Sequence, residues 1–297
     1  MKITITGSLG HISKPLTKEL VQKGHDLTVI SHNPERQKDI EALGAKAAIG
    51  SIEDGSFLKA AFTGADVVYT MLPPPHFSNR DIDMMEHVTG IINNYANAIQ
   101  KSGVKRVVHL SSIGAHMAEN SGLIILHHTA EGILDKMQGV DITFIRPVGF
   151  YYNLLSFIPA IKSMGMMASN YGADDMIPWV SPIDIAAAIA DELRNETEHR
   201  KVRYVASEEL TCNEVASILG QAIGKPDLKW NLISDEQLLS GMEAAGAPPA
   251  IAKGLVEMQA SMHKGNFYED YYRNKPELGK VKLADYAKDF ASIYHQG

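Results

Sequence analysis

Cysteine and long apolar runs are both scarce in this sequence of 297 residues. Its single cysteine, Cys212, excludes an intramolecular disulfide and a zinc site built from several cysteines, and it is typical of a reducing compartment. No stretch reaches the roughly 18 consecutive apolar residues of a membrane-spanning helix. Residues Met1 to Gly7 alternate like a strand, without the basic and then apolar pattern of a secretory leader. We therefore expect a cytoplasmic protein with no membrane partner.

Basic residues are also in the minority, since 28 Lys and Arg stand against 35 Asp and Glu and give a formal charge of −7. No basic cluster is present that would follow a phosphate backbone, which argues against direct binding of nucleic acid. The histidines lack the spacing with carboxylates that a metal site needs, so no metal is predicted. A hydrophobic fraction of 45% is enough for a large folded core. The expected partner is a small molecule, and the oligomeric state stays open.

Short apolar runs alternate with helical patterns through the first half of the chain. This alternation predicts an α/β fold in which helical crossovers join parallel strands. Ile12, Leu16 and Leu20 repeat at four-residue spacing and predict one buried face of a first helix. The predicted strands cover residues 2–6, 26–31, 45–49, 66–72, 106–111 and 141–146.

The second half of the chain has a different rhythm. The Gly- and Met-rich stretch over residues 163–172 has no clear periodicity and is interpreted as a mobile loop. Ser181, followed by a proline, predicts a helix that extends to about Leu193, with a strand over residues 202–206 after it. Capping-box spacing predicts two further helices, and the last helices are expected to flank a loop of tyrosines. The residues concerned are Thr211 and Ser234 at the helix starts, and Tyr268, Tyr271 and Tyr272 in the loop.

A glycine-containing turn directly follows the first predicted strand and opens the first helix. A dinucleotide pyrophosphate needs close approach of the backbone and free N–H groups at a helix N-terminus, and glycine allows both because it has no Cβ. Ser13 stands where a third glycine is usual, at a position that must be small for helix and strand to pack. A plain strand-to-helix turn is the alternative, but the place after a first strand favours dinucleotide binding. The predicted contacts are Gly7, Ser8, Leu9, Gly10, His11 and Ile12.

The type of cofactor is predicted from the end of the second strand. NAD-specific sites place an acidic residue there, about 20 residues beyond the glycines, but the first acid here is Glu35, inside the next helix. A 2′-phosphate would meet no carboxylate, which favours NADP(H) over NAD(H). The residues predicted to meet that phosphate are Ser31, His32, Asn33 and Arg36. The alternative is that Ser31 and Asn33 only cap the helix, and for Asn33 the two roles are compatible.

Further motifs follow in order along nearly the whole chain. They are Gly-Ala-Asp-Val-Val at 64–68, Gly-Val-Lys-Arg-Val-Val at 103–108 running into Leu-Ser-Ser at 110–112, His127 with Glu131, Thr-Phe-Ile-Arg-Pro at 143–147 with Asn153, Trp-Val-Ser at 179–181 with Asp-Ile-Ala at 184–186, and Leu-Thr at 210–211 with Glu-Val-Ala at 214–216. With the glycine turn, they make the sequence resemble the NmrA-like proteins among the atypical short-chain dehydrogenases/reductases.

The resemblance implies a doubly wound parallel sheet of the Rossmann type that binds NAD(P), with a smaller, mainly helical C-terminal part that covers the substrate. We accordingly expect a dinucleotide-binding domain over residues 1–150 and a substrate or cap region over 151–297, with 179–206 returning to the Rossmann sheet. Ligands lie beyond the carboxyl ends of such strands, where the prolines at 73–75 end the fourth strand. The further cofactor-binding residues expected are Met71, Leu72, Pro73, Ser111, Ser112, Pro147 and Phe150. For the two serines the alternative is bonding to backbone groups alone.

Short-chain dehydrogenases use a tyrosine as proton donor, with a lysine four residues later that lowers the pKa of the tyrosine. The resemblance, aligned on Glu131, puts Leu123 at the tyrosine position and His127 at the lysine position. The usual interconversion of alcohol and ketone is therefore not expected. A quinone that accepts hydride forms a delocalised anion, and His127 is the candidate catalytic residue that stabilises or protonates it. A structural role for His127 near the cofactor is the alternative.

Taken together, these features predict a NAD(P)H-dependent oxidoreductase that reduces a quinone-like or similarly conjugated small molecule. Two alternatives stay open. One is a non-catalytic redox sensor that binds NADP(H) and a protein partner through its C-terminal part, and the other is an isomerase or epimerase with a tightly held nucleotide. Because pocket specificity lies in variable loops, the sequence does not identify the acceptor.

Overall fold

The computed structural model describes residues 1–73, 83–195 and 199–296. Its strands are β1 (Lys2–Ile5), β2 (Asp26–Ser31), β3 (Lys46–Ile49), β4 (Val67–Met71), β5 (Arg106–Leu110), β6 (Asp141–Pro147), β7 (Gly149–Phe150), β8 (Met167–Ser169), β9 (Met176–Val180), β10 (Arg200–Val205), β11 (Glu208–Thr211) and β12 (Trp230–Leu232). Its α-helices are α1 (Ser13–Gln22), α2 (Arg36–Ala42), α3 (Gly55–Phe62), α4 (Met84–Ser102), α5 (Ile125–Leu134), α6 (Ile158–Met164), α7 (Pro182–Arg194), α8 (Cys212–Ala222), α9 (Asp235–Ala244), α10 (Pro249–Lys264), α11 (Glu269–Arg273) and α12 (Leu283–Gln296). Short 3-10 helices cover Gly122–Ile124, Tyr151–Phe157 and Asn266–Tyr268.

A seven-stranded sheet has the order β10-β6-β5-β4-β1-β2-β3. The pairs from β3 to β6 are parallel, and Ile5 of β1 lies opposite both Val29 of β2 and Tyr69 of β4. The chain runs outward from β1 to β3 and then returns to β4 on the other side of β1. Ligands bind at such a reversal, beyond the carboxyl ends of the strands. The doubly wound Rossmann-type fold is thus confirmed, and the six predicted strands agree to within one residue at either end.

The central strands are buried because crossover helices cover the sheet. Val67, Val68 and Thr70 of β4 have no exposed surface. Leu16 and Leu20, two of the residues predicted to form the inner face of α1, are also fully buried. These apolar contacts hold the strand ends that carry the candidate site.

The chain forms two compact units, each assembled from segments that are distant in sequence. The first comprises Met1–Ser112, Leu126–Arg146 and Ile185–Arg203, and the second comprises Ile113–Ile125, Pro147–Asp184 and Tyr204–Gly297. In the second unit, two small sheets have the orders β11-β9-β7 and β12-β8, and α8 packs against α12. β10 joins the seven-stranded sheet, whereas β9 does not. The division into domains at residue 150 stays a prediction.

Two sequence interpretations in the second unit are wrong. The stretch 163–172 is not a loop throughout, because it contains β8, in which Met167 lies opposite Trp230 of β12. A strand of three residues is too short to show a period, which is why the pattern missed it. The tyrosine segment forms a 3-10 helix and α11 in place of a loop, and Tyr268 and Tyr271 are buried.

Helix starts in the second half were predicted correctly. The Thr211 hydroxyl accepts from the Glu214 N–H at 3.2 Å, and the Ser234 hydroxyl accepts from the Gln237 N–H at 3.2 Å. Both pairs form complete capping boxes, at α8 and α9. None of the helices in the described ranges is both long enough and apolar enough to cross a bilayer.

Candidate functional site

The glycine turn between β1 and α1 has a backbone that requires glycine at its first position. Gly7 has a φ of 88°, and a Cβ on it would lie 2.6 Å from both the Met71 Sδ and the Ser13 Oγ. The Gly10 N–H donates to the Gly7 carbonyl oxygen at 3.1 Å and closes the turn. Ser13 donates its hydroxyl to the Thr6 carbonyl oxygen at 3.0 Å, so this small polar residue fastens α1 to the end of β1.

The start of α1 retains donors that a bound anion can use. Within the described chain, the N–H groups of Leu9 and Ile12 make no hydrogen bond. Gly10 and His11 are exposed, and a Cβ on Gly10 would meet only the Gly7 carbonyl oxygen, at 3.2 Å. Unused N–H groups beside an open glycine at a helix N-terminus suit a phosphate.

Local hydrogen bonds hold the residues at the end of β2. The buried Ser31 hydroxyl accepts from the Ser8 hydroxyl at 2.9 Å and from the Asn33 N–H at 3.2 Å. The Asn33 Oδ1 accepts from the Glu35 N–H at 2.9 Å and caps the turn that leads into α2. Ser31 and Asn33 therefore stabilise the turn before α2 and do not cap the helix itself, whose N-cap residue is Glu35. A cofactor role for both residues stays a prediction.

Two of the side chains predicted beside a 2′-phosphate, those of His32 and Arg36, are accessible. His32 and Arg36 are both exposed, and Arg36 reaches Asp39 only at 3.4 Å. α2 begins at Arg36 and not directly after Asn33, because the intervening residues form a turn. Arg36 thus stands at the first position of α2.

The end of β4 lies against the glycine turn. The Met71 N–H donates to the Thr6 Oγ1 at 3.1 Å. Leu72 is buried and Pro73 is half-buried. The predicted extended segment continues to Pro75, which lies outside the described residues. Two of the segments expected to bind the cofactor are thus neighbours.

Ser111, directly after β5, belongs to a buried network with α5 and β6. Its hydroxyl donates to the Glu131 Oε1 at 2.5 Å. Arg146 of β6 donates from Nε to the same oxygen at 2.9 Å and from Nη2 to the Oε2 at 2.6 Å. All three side chains are buried, whereas the neighbouring Ser112 is partly exposed. The network ties the carboxyl ends of two strands to one helix.

His127, one turn before Glu131 on α5, lies close enough to His109 of β5 for the two rings to affect each other's charge. Burial lowers the pKa of His127 to about 4, although the Glu131 carboxylate acts to raise it. Burial likewise lowers the pKa of His109 to about 3, and a charge on His127 adds to that effect. The His109 Nδ1 bonds to the Thr70 Oγ1 at 2.9 Å, but its Nε2 and the His127 Nδ1 are buried without a partner among the described residues. Both rings are therefore uncharged near pH 7.

Stability is expected to fall when the pH is lowered from about 7 to about 5. Both histidines titrate near 6.5 in the unfolded chain, whereas the folded chain keeps them neutral down to about 4 and about 3. Protons then bind preferentially to the unfolded state below pH 6.5, so stability rises with pH up to that value and is level above it. His109, which is fully buried, is expected to account for a loss of about 2 kcal/mol by pH 5. Urea unfolding at both pH values measures the loss.

The matched variant for this measurement is His109→Asn, which keeps a polar group beside Thr70. Its loss of unfolding free energy between the two pH values should be smaller than that of the wild type by about 2 kcal/mol. Carboxyls whose pKa is lowered on folding, such as those of Asp191 and Glu214, lose their contribution mainly as the pH falls below their ordinary pKa values of 3.8 and 4.5, which is below this window. An equal loss in both proteins would show that His109 is not the source.

Leu123, at the position of the missing tyrosine, is a packing residue of the second unit. It lies in the 3-10 helix that packs on α10. A Cβ on Gly122 would overlap the Gly254 carbonyl oxygen, and a Cβ on Gly254 would lie 2.7 Å from the Leu123 Cδ2. The two glycines let the backbones touch, and Leu123 covers the contact. The position supplies no proton.

The other predicted cofactor residues of the second unit are Pro147 and Phe150. Pro147 is buried, and its carbonyl oxygen accepts from the Ile113 N–H at 2.9 Å. Phe150 is partly exposed, and its ring centroid lies 5.0 Å from that of Tyr152. Their contact with a cofactor stays a prediction.

The sequence of this chain is similar to those of known proteins. A model of the NmrA-like family matches residues 1–286. The chain belongs to the NmrA-like family. Among curated proteins, it is 24% identical to (4-alkanoyl-5-oxo-2,5-dihydrofuran-3-yl)methyl phosphate reductase of Streptomyces griseus, over 89% of this chain and 88% of that protein. It is 26% identical to NAD(P)H azoreductase of Xenophilus azovorans, over 87% of this chain and 86% of that protein.

A solved structure gives the same fold. The NADPH-dependent quinone oxidoreductase of Escherichia coli, complexed with NADPH, has a TM-score of 0.82 to this chain at 21% identity. The match covers 97% of this chain and 99% of that protein. The chain therefore has the same overall fold as that protein.

Sequence reasoning missed Glu131 and His109 as members of the site. Glu131 served only to align the motif, although its four-residue spacing from His127 places both on one face of a helix. His109 stands in an apolar strand, where a buried structural histidine is the ordinary interpretation. Only the folded chain shows that Arg146 binds Glu131 and that His109 lies close enough to His127 for the charge of one ring to affect the other.

Proposed function

We propose that this NmrA-like protein is a NAD(P)H-dependent oxidoreductase that reduces a quinone-like or similarly conjugated small molecule. The observation that carries the proposal is the glycine turn, where Gly7 permits the tight backbone turn and the exposed Gly10 lies beside unused N–H groups at the start of α1. The azoreductase and the quinone oxidoreductase are nicotinamide-dependent by name, which supports the same class here. Bound NADPH would supply the hydride. In the first unit, the residues proposed to hold it are Gly7 to Ile12, Ser31, His32, Asn33, Arg36, Met71, Leu72, Pro73, Ser111 and Ser112.

The residues at the usual proton-donor positions favour an acceptor whose product needs no strong acid. Leu123 has no acidic proton, the Ser111 hydroxyl donates its hydrogen bond to Glu131, and His127 is neutral near pH 7. A neutral imidazole donates a hydrogen bond but is a weak acid. Hydride transfer to a quinone leaves a delocalised anion that solvent can protonate, and the N–H of His127 is proposed to stabilise that anion.

NADPH is expected to bind more tightly than NADH. No carboxylate stands at the end of β2, and the exposed His32 and Arg36 offer donors to a 2′-phosphate. His32→Asp adds repulsion toward that phosphate and an acceptor for the ribose hydroxyls. We expect it to shift the ratio of the two affinities by about tenfold toward NADH, the effect of one charge contact. Fluorescence titration with each cofactor measures the ratio.

Gln100→Asp is the control, since it makes the same change of charge at an exposed position. It lies near the end of α4, which leads to the amino end of β5 and thus to the opposite edge of the sheet from the end of β2. The cofactor ratio should stay that of the wild type. Equal affinities in the wild type, or a ratio unchanged by His32→Asp, would contradict the assignment.

Oxidation of NADPH in the presence of a small panel of quinones, azo dyes and ketones tests the proposed function. Turnover with a quinone or an azo dye supports it. Tight NADPH binding without turnover of any acceptor favours the alternative of a redox sensor with a protein partner. A folded protein that binds neither NADPH nor NADH would overturn the proposal.

A further inference from the structure

The Ser111 hydroxyl donates a hydrogen bond to Glu131 but accepts none from the residues that the structure describes. Its bond to Glu131, at 2.5 Å, has the length of a charge-assisted O–H···O⁻ bond. Among the residues that the structure describes, no donor reaches the Ser111 Oγ. A hydroxyl oxygen has two lone pairs, so acceptor capacity remains at this strand end. Donation to a carboxylate also makes the oxygen a better acceptor, because linked hydrogen bonds polarise one another.

Arg146 holds Glu131 in a single orientation. The planar guanidinium reaches both carboxylate oxygens, and the two side chains are only 8% and 11% exposed. A forked contact of this kind fixes the plane of the carboxylate. The Glu131 Oε1 accepts hydrogen bonds from both the Arg146 Nε–H and the Ser111 hydroxyl. Rotation of the Glu131 carboxylate would therefore break both bonds.

Stability is a weak reason for this arrangement. Taking two charges out of water costs free energy that offsets most of their attraction, and apolar side chains of equal volume often hold a core as well. The ion pair instead fixes the direction in which the Ser111 hydroxyl points. The Ser111 O–H bond points at the Glu131 carboxylate, and the lone pairs of the Ser111 oxygen therefore point away from Glu131.

We propose that Glu131 is a positioning residue, which holds Ser111 as a hydrogen-bond acceptor for an N–H or O–H group of the bound ligand. This proposal rests on the proposed function. Ser111 follows β5 at the carboxyl edge of the sheet, where ligands of such sheets lie. Two ligand groups have the required chemistry, the carboxamide NH₂ of a nicotinamide and the hydroxyl of a hydroquinone. Ser111 is then no donor to a substrate carbonyl oxygen.

The cofactor arm of the test compares NADPH with its reduced 3-acetylpyridine analogue, which has a methyl ketone in place of the carboxamide and therefore no N–H donor there. If the carboxamide is the partner, the wild type should bind NADPH about tenfold more tightly, the effect of one hydrogen bond. Ser111→Ala should make the two affinities equal. Glu131→Gln should reduce the ratio of the two affinities. The amide NH₂ of the new side chain can donate a hydrogen bond to the Ser111 oxygen, so the Ser111 O–H can turn and donate to the ketone oxygen of the analogue. Calorimetric titration measures both affinities.

The product arm compares inhibition by a hydroquinone and by its dimethyl ether, which lacks the O–H donors. If the hydroquinone is the partner, the preference for it appears in this arm and not with the cofactor. Ser111→Ala should again remove the preference. The two arms thus distinguish the two sources of the donor.

Two further variants keep the test decisive. Glu131→Gln removes one charge of a buried ion pair, so the double variant Glu131→Gln/Arg146→Gln, which removes both charges of that pair, is measured beside it. Ser102→Ala, which removes a hydroxyl bonded to the Ile99 carbonyl oxygen at the end of α4, is the matched control and should behave as the wild type.

The proposal is overturned if Ser111→Ala still binds the compound with the N–H or O–H donor more tightly than its partner compound. It is also overturned if the wild type shows no such difference in either arm. If the Glu131 variants bind both compounds of each pair more weakly by the same factor, so that the ratio of their affinities is unchanged, the proposal is also overturned. A purely structural role for Glu131 would give that result. A wild type that binds no nicotinamide cofactor would overturn the proposed function itself, and the role of Glu131 with it.

Discussion

Gly10→Val is expected to lower NADPH affinity by about a hundredfold or more while the chain stays folded. Gly10 is exposed and lacks a positive φ, so a side chain there requires only a small shift of the Gly7 carbonyl oxygen, which would lie 3.2 Å from the added Cβ. The added carbons would occupy the space in which a pyrophosphate approaches the N–H groups of Leu9 and Ile12. Fluorescence titration measures the affinity, and circular dichroism checks the fold.

Gly10 is the informative glycine of this turn. At Gly7, a side chain would be strained at φ 88° and would meet Met71 and Ser13, so loss of binding there could reflect damage to the fold. Gly90→Val is the control, because it makes the same change on an exposed face of α4 where a Cβ meets nothing within 4 Å. NADPH affinity at the wild-type level in a folded Gly10→Val protein would remove the assignment of the phosphate turn.

The parts of the fold that the sequence predicts are those that local pattern determines. β1 to β6 are nearly continuous apolar runs because helices cover both faces of a parallel sheet, and their bounds follow directly. The capping boxes at Thr211 and Ser234 are equally local. β8 was not predicted because it is too short to show a hydrophobic period and forms by pairing with β12, which is distant in sequence. Asn33 caps a turn before α2 rather than the helix itself, a choice that its sequence neighbours do not reveal.

The candidate site divides in the same way. The glycine turn is predictable because the backbone geometry at Gly7 depends on the residue type. The meeting of Glu131 with Arg146 depends on how α5 packs over β6, and no spacing in the sequence encodes it. The neutral state of His127 follows from burial, which lowers its pKa to about 4, and only the folded chain shows that burial.

The choice of acceptor is the second large effect. The wild type is expected to reduce quinones with a kcat/KM roughly a thousandfold above that for simple ketones, the range that a positioned general acid contributes. A ketone that accepts hydride becomes an alkoxide and demands a proton at once, whereas a quinone product is already a delocalised anion. Leu123 has no proton to give, and the Ser111 proton is held by Glu131. Steady-state rates with both acceptors measure the ratio, and efficient reduction of a simple ketone would contradict the argument from the missing tyrosine.

The same assay on His127→Ala tests which group assists the quinone. If the neutral ring stabilises the anion through its N–H, kcat should fall roughly tenfold to a thousandfold while NADPH affinity stays within about a few-fold. Because burial lowers the pKa of His127 to about 4, the wild-type kcat should not vary with the charge of this ring between about pH 6 and pH 8. His128→Ala, one residue further along α5, is the matched control and should keep the wild-type kcat. An unchanged kcat in His127→Ala would leave that ring a structural role beside His109, and the delocalisation of the acceptor alone would then carry the reaction.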